Sequence, residues 1–136
     1  MTAKFEILTP VEISYRQIVN TLQSGFDSGV AYWAELADTI EPSDDDLYSG
    51  SKWDADSIIP YAVSKGGAIM LRDVLGDEEG LEGQVYTLDL ESVERGLKAM
   101  ASGNPYQFGL LMNEQGDCIT GDVLIQFCLF GEEKYG

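Results

Sequence analysis

The stretch "CITGDVLIQFCLFGEE", which begins at Cys118, limits the fold more tightly than any other. It is too long for a typical strand of 5–6 residues. Asp117 before it is a good N-cap, and Gly131 after Phe130 is a helix stop. The segment therefore reads as a helix. Asp117 and Asp122 are the one carboxylate pair set among apolar residues. Asp117 reads as the cap, and Asp122 as a first-turn anion favoured by the helix dipole. Gln126, set among Val123, Leu124, Ile125, Phe127, Cys128 and Leu129, must be hydrogen-bonded if buried. It reads as satisfying a backbone group inside the fold. Cys118 and Cys128 on one helix would lie ~15 Å apart along its axis, beyond disulfide reach. Both read as small apolar residues of a protein made in a reducing cytosol.

The rest of the chain supplies strands and helices for that segment to pack against. "KFEIL" alternates and reads as a short first strand, broken by Pro10. Ser14 caps a helix carrying Tyr15, Ile18, Val19, Leu22 and Phe26, which Gly25 and Gly29 end. "VAYWAELADTI" reads as a strand, with Tyr32 and Trp33 on opposite faces. "IIPYAVSKGGAIMLRDVL" reads as a hairpin turning at Lys65, Gly66 and Gly67. "QVYTLDL" is a strand running into a helix capped near Asp89, and another short helix begins at Pro105. The expectation is a single globular α+β domain over residues 1–136, with an acidic loop at about 41–57. Its antiparallel sheet has about four strands and packs with three to four helices.

Several kinds of chemistry find no residues here. The chain has no histidine, so Ser-His and Cys-His nucleophilic arrangements are excluded. Two cysteines in one helix cannot build a tetrahedral zinc site. "SKGGA" and "GDEEGLEG" have neither the phosphate-loop nor the dinucleotide spacing. Calcium would suit the carboxylates, but a hand-type loop started at Asp44 places Ser49 sixth and Ala55 twelfth, and one started at Asp54 fails at Ile58. No metal, cofactor or enzymatic activity is expected. The first residues show no signal peptide, and no apolar segment approaches a membrane span.

Charge is the unusual feature. Twenty-four carboxylates face eight basic residues, for a net charge of −16. Between Glu35 and Glu94 sixteen acidic residues meet only Lys52, Lys65 and Arg72, which places −13 of that total in under half the chain. Such a surface repels nucleic acid and anionic membranes and attracts basic, nucleic-acid-handling surfaces. "SDDDLYSGSKWDAD" adds Tyr48 and Trp53, aromatics of the kind that anchor interfaces.

Three blocks, "FDSGVAYWAEL", "YTLDLESVERGLKAM" and "DCITGDVLIQFCLFGEEKYG", carry a resemblance. Gly29, Tyr32, Trp33, Thr87, Gly96, Leu97, Asp117, Thr120, Asp122, Gln126, Phe130, Gly131, Glu132, Tyr135 and Gly136 form the pattern. In these positions the chain resembles a loose family of small uncharacterised phage and prophage proteins, over about half its length. It departs from the pattern at Cys118 and Gly121, where the family has alanines, and at Phe26-Asp27-Ser28, which interrupts the family's glycine pair. The resemblance implies a phage-encoded protein in the cytoplasm of a bacterial host and transfers no catalytic or binding residue.

In that context the expected function is an acidic, non-enzymatic inhibitor of a host defence protein, of the anti-CRISPR or anti-restriction type. It would bind a basic nucleic-acid-binding protein by charge mimicry, touching no nucleic acid or membrane itself. Its expected contacts are Asp44, Asp45, Asp46, Tyr48, Trp53, Asp54, Asp56, Asp77, Glu78 and Glu79. Two alternatives stand beside it. One is a phage structural or assembly accessory acting as a homodimer or larger homo-oligomer through the apolar C-terminal element and "FGEEKYG". The other is a small-ligand sequestering protein with a pocket near Trp33 and Gln126.

Overall fold

The computed structural model describes residues 5, 10–42, 58–75 and 83–136. Among them the fold is α+β: five α-helices and one antiparallel three-stranded sheet. Helix α1 spans Tyr15–Ser24 and runs into a π-helical turn over Gly25–Gly29. Strand β1 is Ala34–Ile40, the short helix α2 is Ile59–Ala62, and strand β2 is Ala68–Asp73. Strand β3, Val85–Leu88, leads into α3, Leu90–Gly103, followed by α4, Pro105–Met112, and α5, Cys118–Phe130. The sheet order is β1-β2-β3, with a β-bulge between Leu36 and Asp38.

Helix α5 is the centre of the molecule. Nine consecutive residues, Thr120 to Cys128, are buried. A helix buried on every side must be covered by neighbours all round, and α1, the π turn, α3, α4 and β3 all pack against it. Asp117 caps it as expected, accepting from the Ile119 and Thr120 amides while the Thr120 side chain accepts from the Asp117 amide. Gly131 closes it in the left-handed region, at φ 76°. Asp122 is the fifth residue of α5, one turn further in than the expected first-turn position.

Close approach to α5 depends on missing side chains. A Cβ on Gly25 would lie 2.7 Å from the Gly121 carbonyl carbon, and one on Gly96 would lie 2.7 Å from Cys128 Cα. Both helix crossings are thus backbone against backbone. This is why the first helix does not end at Gly25: the chain continues as a π turn that lays Gly25 and Gly29 on the first two turns of α5.

The sheet differs from expectation in three places. Three strands are present among the described residues, and the strand expected at "KFEIL" falls on residues that, apart from Phe5, lie outside them. The expected hairpin at 58–75 is a helical turn followed by β2. Pro60, which has no amide to give a ladder, sits in the first turn of α2, and the Ser64 hydroxyl donates to its carbonyl at 2.7 Å. Tyr32 and Trp33 precede β1 in a turn rather than belonging to it. One ring is nonetheless out and the other in: Tyr32 is 47% exposed and Trp33 0%.

The glycine crossings yield a paired prediction. Gly121→Ala should destabilise the fold by about 1–3 kcal/mol, because a methyl there meets the α1 backbone. Gly109→Ala, in α4 with nothing within 4 Å of the added carbon, should be neutral or raise stability by up to about 1 kcal/mol. Denaturant unfolding of both variants checks this.

Candidate functional site

Two buried carboxylates organise the polar interior. Asp122 is 8% exposed and accepts three side-chain hydrogen bonds. Trp33 Nε1 donates to its Oδ1 at 2.7 Å, Gln126 Nε2 to the same oxygen at 3.0 Å, and Tyr32 Oη to Oδ2 at 2.8 Å. Dipole stabilisation, the expected role of Asp122, is thus secondary. Its carboxylate is the shared acceptor for the turn before β1 and for α5, which a buried anion requires.

The second carboxylate, Asp73 at the end of β2, is 1% exposed. It accepts from Tyr135 Oη at 2.7 Å, from Lys134 Nζ at 3.2 Å and from the Leu75 amide at 3.0 Å. Gln126 joins the two centres. Its Oε1 accepts from the Lys134 and Tyr135 amides at 2.7 and 2.8 Å, and its Nε2 also donates to the Tyr135 carbonyl at 2.9 Å. Gln126 therefore does bond backbone groups, those of the segment that follows its own helix. Aromatic rings fill the space between. Trp33 lies 5.3 Å from Phe130 and 5.6 Å from Tyr135, and Tyr86 meets Phe130 edge-on at 4.8 Å.

These contacts account for most of the residue pattern noted in the sequence. Gly29 and Gly96 admit α5, Asp117 and Gly131 bound it, and Thr120 donates to Gln107 at 2.6 Å. Tyr32, Trp33, Asp122, Gln126, Phe130 and Tyr135 form the network. Trp33 and Gln126, the proposed lining of a ligand pocket, are both 0% exposed and bonded to the chain itself. Among the described residues no three His, Cys, Asp or Glu side chains gather as a metal site, and no helix is long and apolar enough to cross a membrane. Cys118 and Cys128 are free, and burial pushes the Cys128 thiol up.

The expected contact residues Asp44, Asp45, Asp46, Tyr48, Trp53, Asp54, Asp56, Asp77, Glu78 and Glu79 lie outside the described residues. The points where their segments begin are described. Pro42 lies two residues beyond Ile40, which pairs with Ala68 at one end of the sheet. Leu75 lies two residues beyond Asp73, which pairs with Ala34 at the other end. Beside the first point a concavity of about 400 Å³ lies between Lys65, Gly66 and Gly67 on one side and Asp89, Glu91 and Glu94 on the other. Glu35 and Asp38 are exposed on β1, and Glu35 pairs with Arg72 at 3.3 Å.

No protein-family model, curated protein or solved structure matches the chain.

The network makes stability depend on its acceptors and on alkaline pH. Asp122→Ala leaves the Trp33 and Gln126 donors short of an acceptor and should cost about 2–4 kcal/mol in denaturant unfolding. Burial, with the Asp122 hydrogen bond and charge, raises Tyr32 from its usual 10.0 to about 12. Burial and the Asp73 bond raise Tyr135 as well. For Lys134, partial burial works downward, but the Asp73 bond and charge outweigh it and hold the ammonium above its usual range. Groups raised on folding contribute stability that is complete below their unfolded pKa and is lost as pH rises through the folded one. Stability should therefore fall between pH 10 and about 12. Tyr32→Phe should be less stable at neutral pH yet show a shallower decline over that window.

Proposed function

We propose that the protein is a phage-encoded, non-enzymatic inhibitor of a bacterial defence protein, acting in the host cytoplasm. It occupies a basic surface that otherwise holds nucleic acid. The carrying observation is the concentration of charge: sixteen carboxylates, of which Asp73 is buried, against three cations between Glu35 and Glu94. The topology supports the reading. Residues 43–57 carry Asp44, Asp45, Asp46, Asp54 and Asp56, and residues 76–82 carry Asp77, Glu78, Glu79 and Glu82. The two segments begin at opposite ends of a sheet whose six-residue central strand spans ~20 Å. Duplex DNA presents about 12 phosphates over that length, at one per ~1.7 Å. The two segments carry nine carboxylates, the same order as the phosphates over that length, and begin at points about that far apart. The core supplies a frame that keeps the two anchor points apart.

Association and dissociation should separate the roles of the contacts. Long-range attraction steers encounter and is screened over ~10 Å at 0.1 M salt, whereas a desolvated aromatic holds the complex once formed. Affinity capture from a bacterial lysate should retain a basic nucleic-acid-binding protein, with retention falling steeply between roughly 50 and 200 mM salt. Against that purified partner, Asp44, Asp45 and Asp46 replaced together by Asn should slow association and flatten its salt dependence. Trp53→Ala should speed dissociation by roughly tenfold or more, as for a hot spot worth ~2 kcal/mol. Parent-like rates in both variants, at unchanged melting temperature, would refute charge mimicry through this segment.

A further inference from the structure

Residues 131–136 are held as a bound peptide is held. After the left-handed Gly131 the segment forms no helix or strand. Gln126 reads its backbone at both polarities, accepting from the Lys134 and Tyr135 amides and donating to the Tyr135 carbonyl. The Tyr135 ring lies beside Trp33 at 5.6 Å, and its hydroxyl donates to Asp73 at 2.7 Å. Lys134 Nζ reaches the same carboxylate at 3.2 Å and lies 5.1 Å from the centre of the Phe130 ring. Every receiving group belongs to another element: Asp73 to β2, Trp33 to the turn before β1, Gln126 and Phe130 to α5. Asp73, Trp33 and Gln126 are almost wholly buried, and Asp122 fixes both the indole and the amide that do the receiving.

We infer that this cleft is a peptide-binding site, closed in cis by the chain's own Lys134-Tyr135-Gly136. Its ligand class is an extended peptide with a Lys-Tyr step, read by one side-chain amide along the backbone and by one buried carboxylate at the phenol and the ammonium. Recognition of this kind draws affinity from main-chain hydrogen bonds and specificity from the side-chain pocket. In the intact chain the short tether gives the cis segment an effective concentration of about millimolar order, so a free peptide competes poorly. Weakening the cis segment should open the cleft to the same sequence supplied in trans. This site is independent of the acidic segments and of the inhibitor reading.

The test uses the full chain with Tyr135→Ala and the free pentapeptide Glu-Glu-Lys-Tyr-Gly. Peptide at about a tenth of the cis segment's effective concentration should raise the melting temperature of the variant saturably and leave the parent unchanged. A control peptide with alanine in place of tyrosine should have no effect. If Tyr135→Ala is unfolded alone, folding on addition of the peptide, and not of the control, supports the site equally. Tyr135→Phe keeps the ring and loses only the hydroxyl bond to Asp73. It should bind the tyrosine peptide more weakly than Tyr135→Ala but measurably, by line broadening of the Trp33 indole NH. Equal response of parent and variants, equal response to both peptides, or no response in either variant would overturn the proposal.

Discussion

Burying a helix on every side with Asp122 and Gln126 inside it is the constraint from which the rest of this structure follows. Asp122 and Gln126 lie one turn apart in α5, and both are shut away from water. An unsatisfied carboxylate or amide there would cost several times the net worth of one hydrogen bond. The chain meets the cost by bringing donors to them. The turn before β1 delivers the Tyr32 hydroxyl and the Trp33 indole, and residues 134–135 deliver two amides and a carbonyl. These partners fix how the sheet and the closing segment sit on α5. Apolar packing then fills the space that the hydrogen bonds define.

The division between core and charge is nearly complete. Asp73 and Asp122, the buried carboxylates among the described residues, are committed to hydrogen bonds within the fold. The charge excess lies in the connections and on exposed strand and helix ends. Self-repulsion among those carboxylates opposes compaction. A core built around a centrally buried helix and backbone-to-backbone glycine crossings counters it without relying on surface ion pairs. Among the described residues the ion pairs are Arg72–Glu35, on the surface, and Lys134–Asp73, whose carboxylate is buried.

Much of this was legible in the residues. Ser14, Asp89, Asn104–Pro105, Asp117 and Gly131 mark helix ends by local chemistry, and each marks one in the fold. Gln126 declared itself as a bonded polar group because an apolar run leaves few alternatives. Its partners did not, since they depend on a segment turning back through Gly131. The hairpin expected at 58–75 failed because Ile58, Ile59 and Ala62 suit either strand or helix, and Pro60 tips the balance locally. The role of Asp122 was hidden for a different reason: adjacency of Tyr32 and Trp33 suggested a strand, whereas a turn lets both reach one carboxylate. The signal available was the set Tyr32, Trp33, Asp122 and Gln126 itself, four hydrogen-bonding side chains without charge balance in otherwise apolar surroundings. The acidic contact residues, Asp44 to Glu79, are read from charge and composition alone.

Amide hydrogen exchange tests most directly whether α5 and the segment after it are one unit. The Lys134 and Tyr135 amides lie in a segment without helix or strand, where exchange is usually fast. Because both are bonded to buried Gln126, they should exchange nearly as slowly as Leu124 and Ile125 in the middle of α5 and share their denaturant dependence. Exchange of these two amides at the rate of an unstructured chain, beside protected Leu124 and Ile125, would contradict the account.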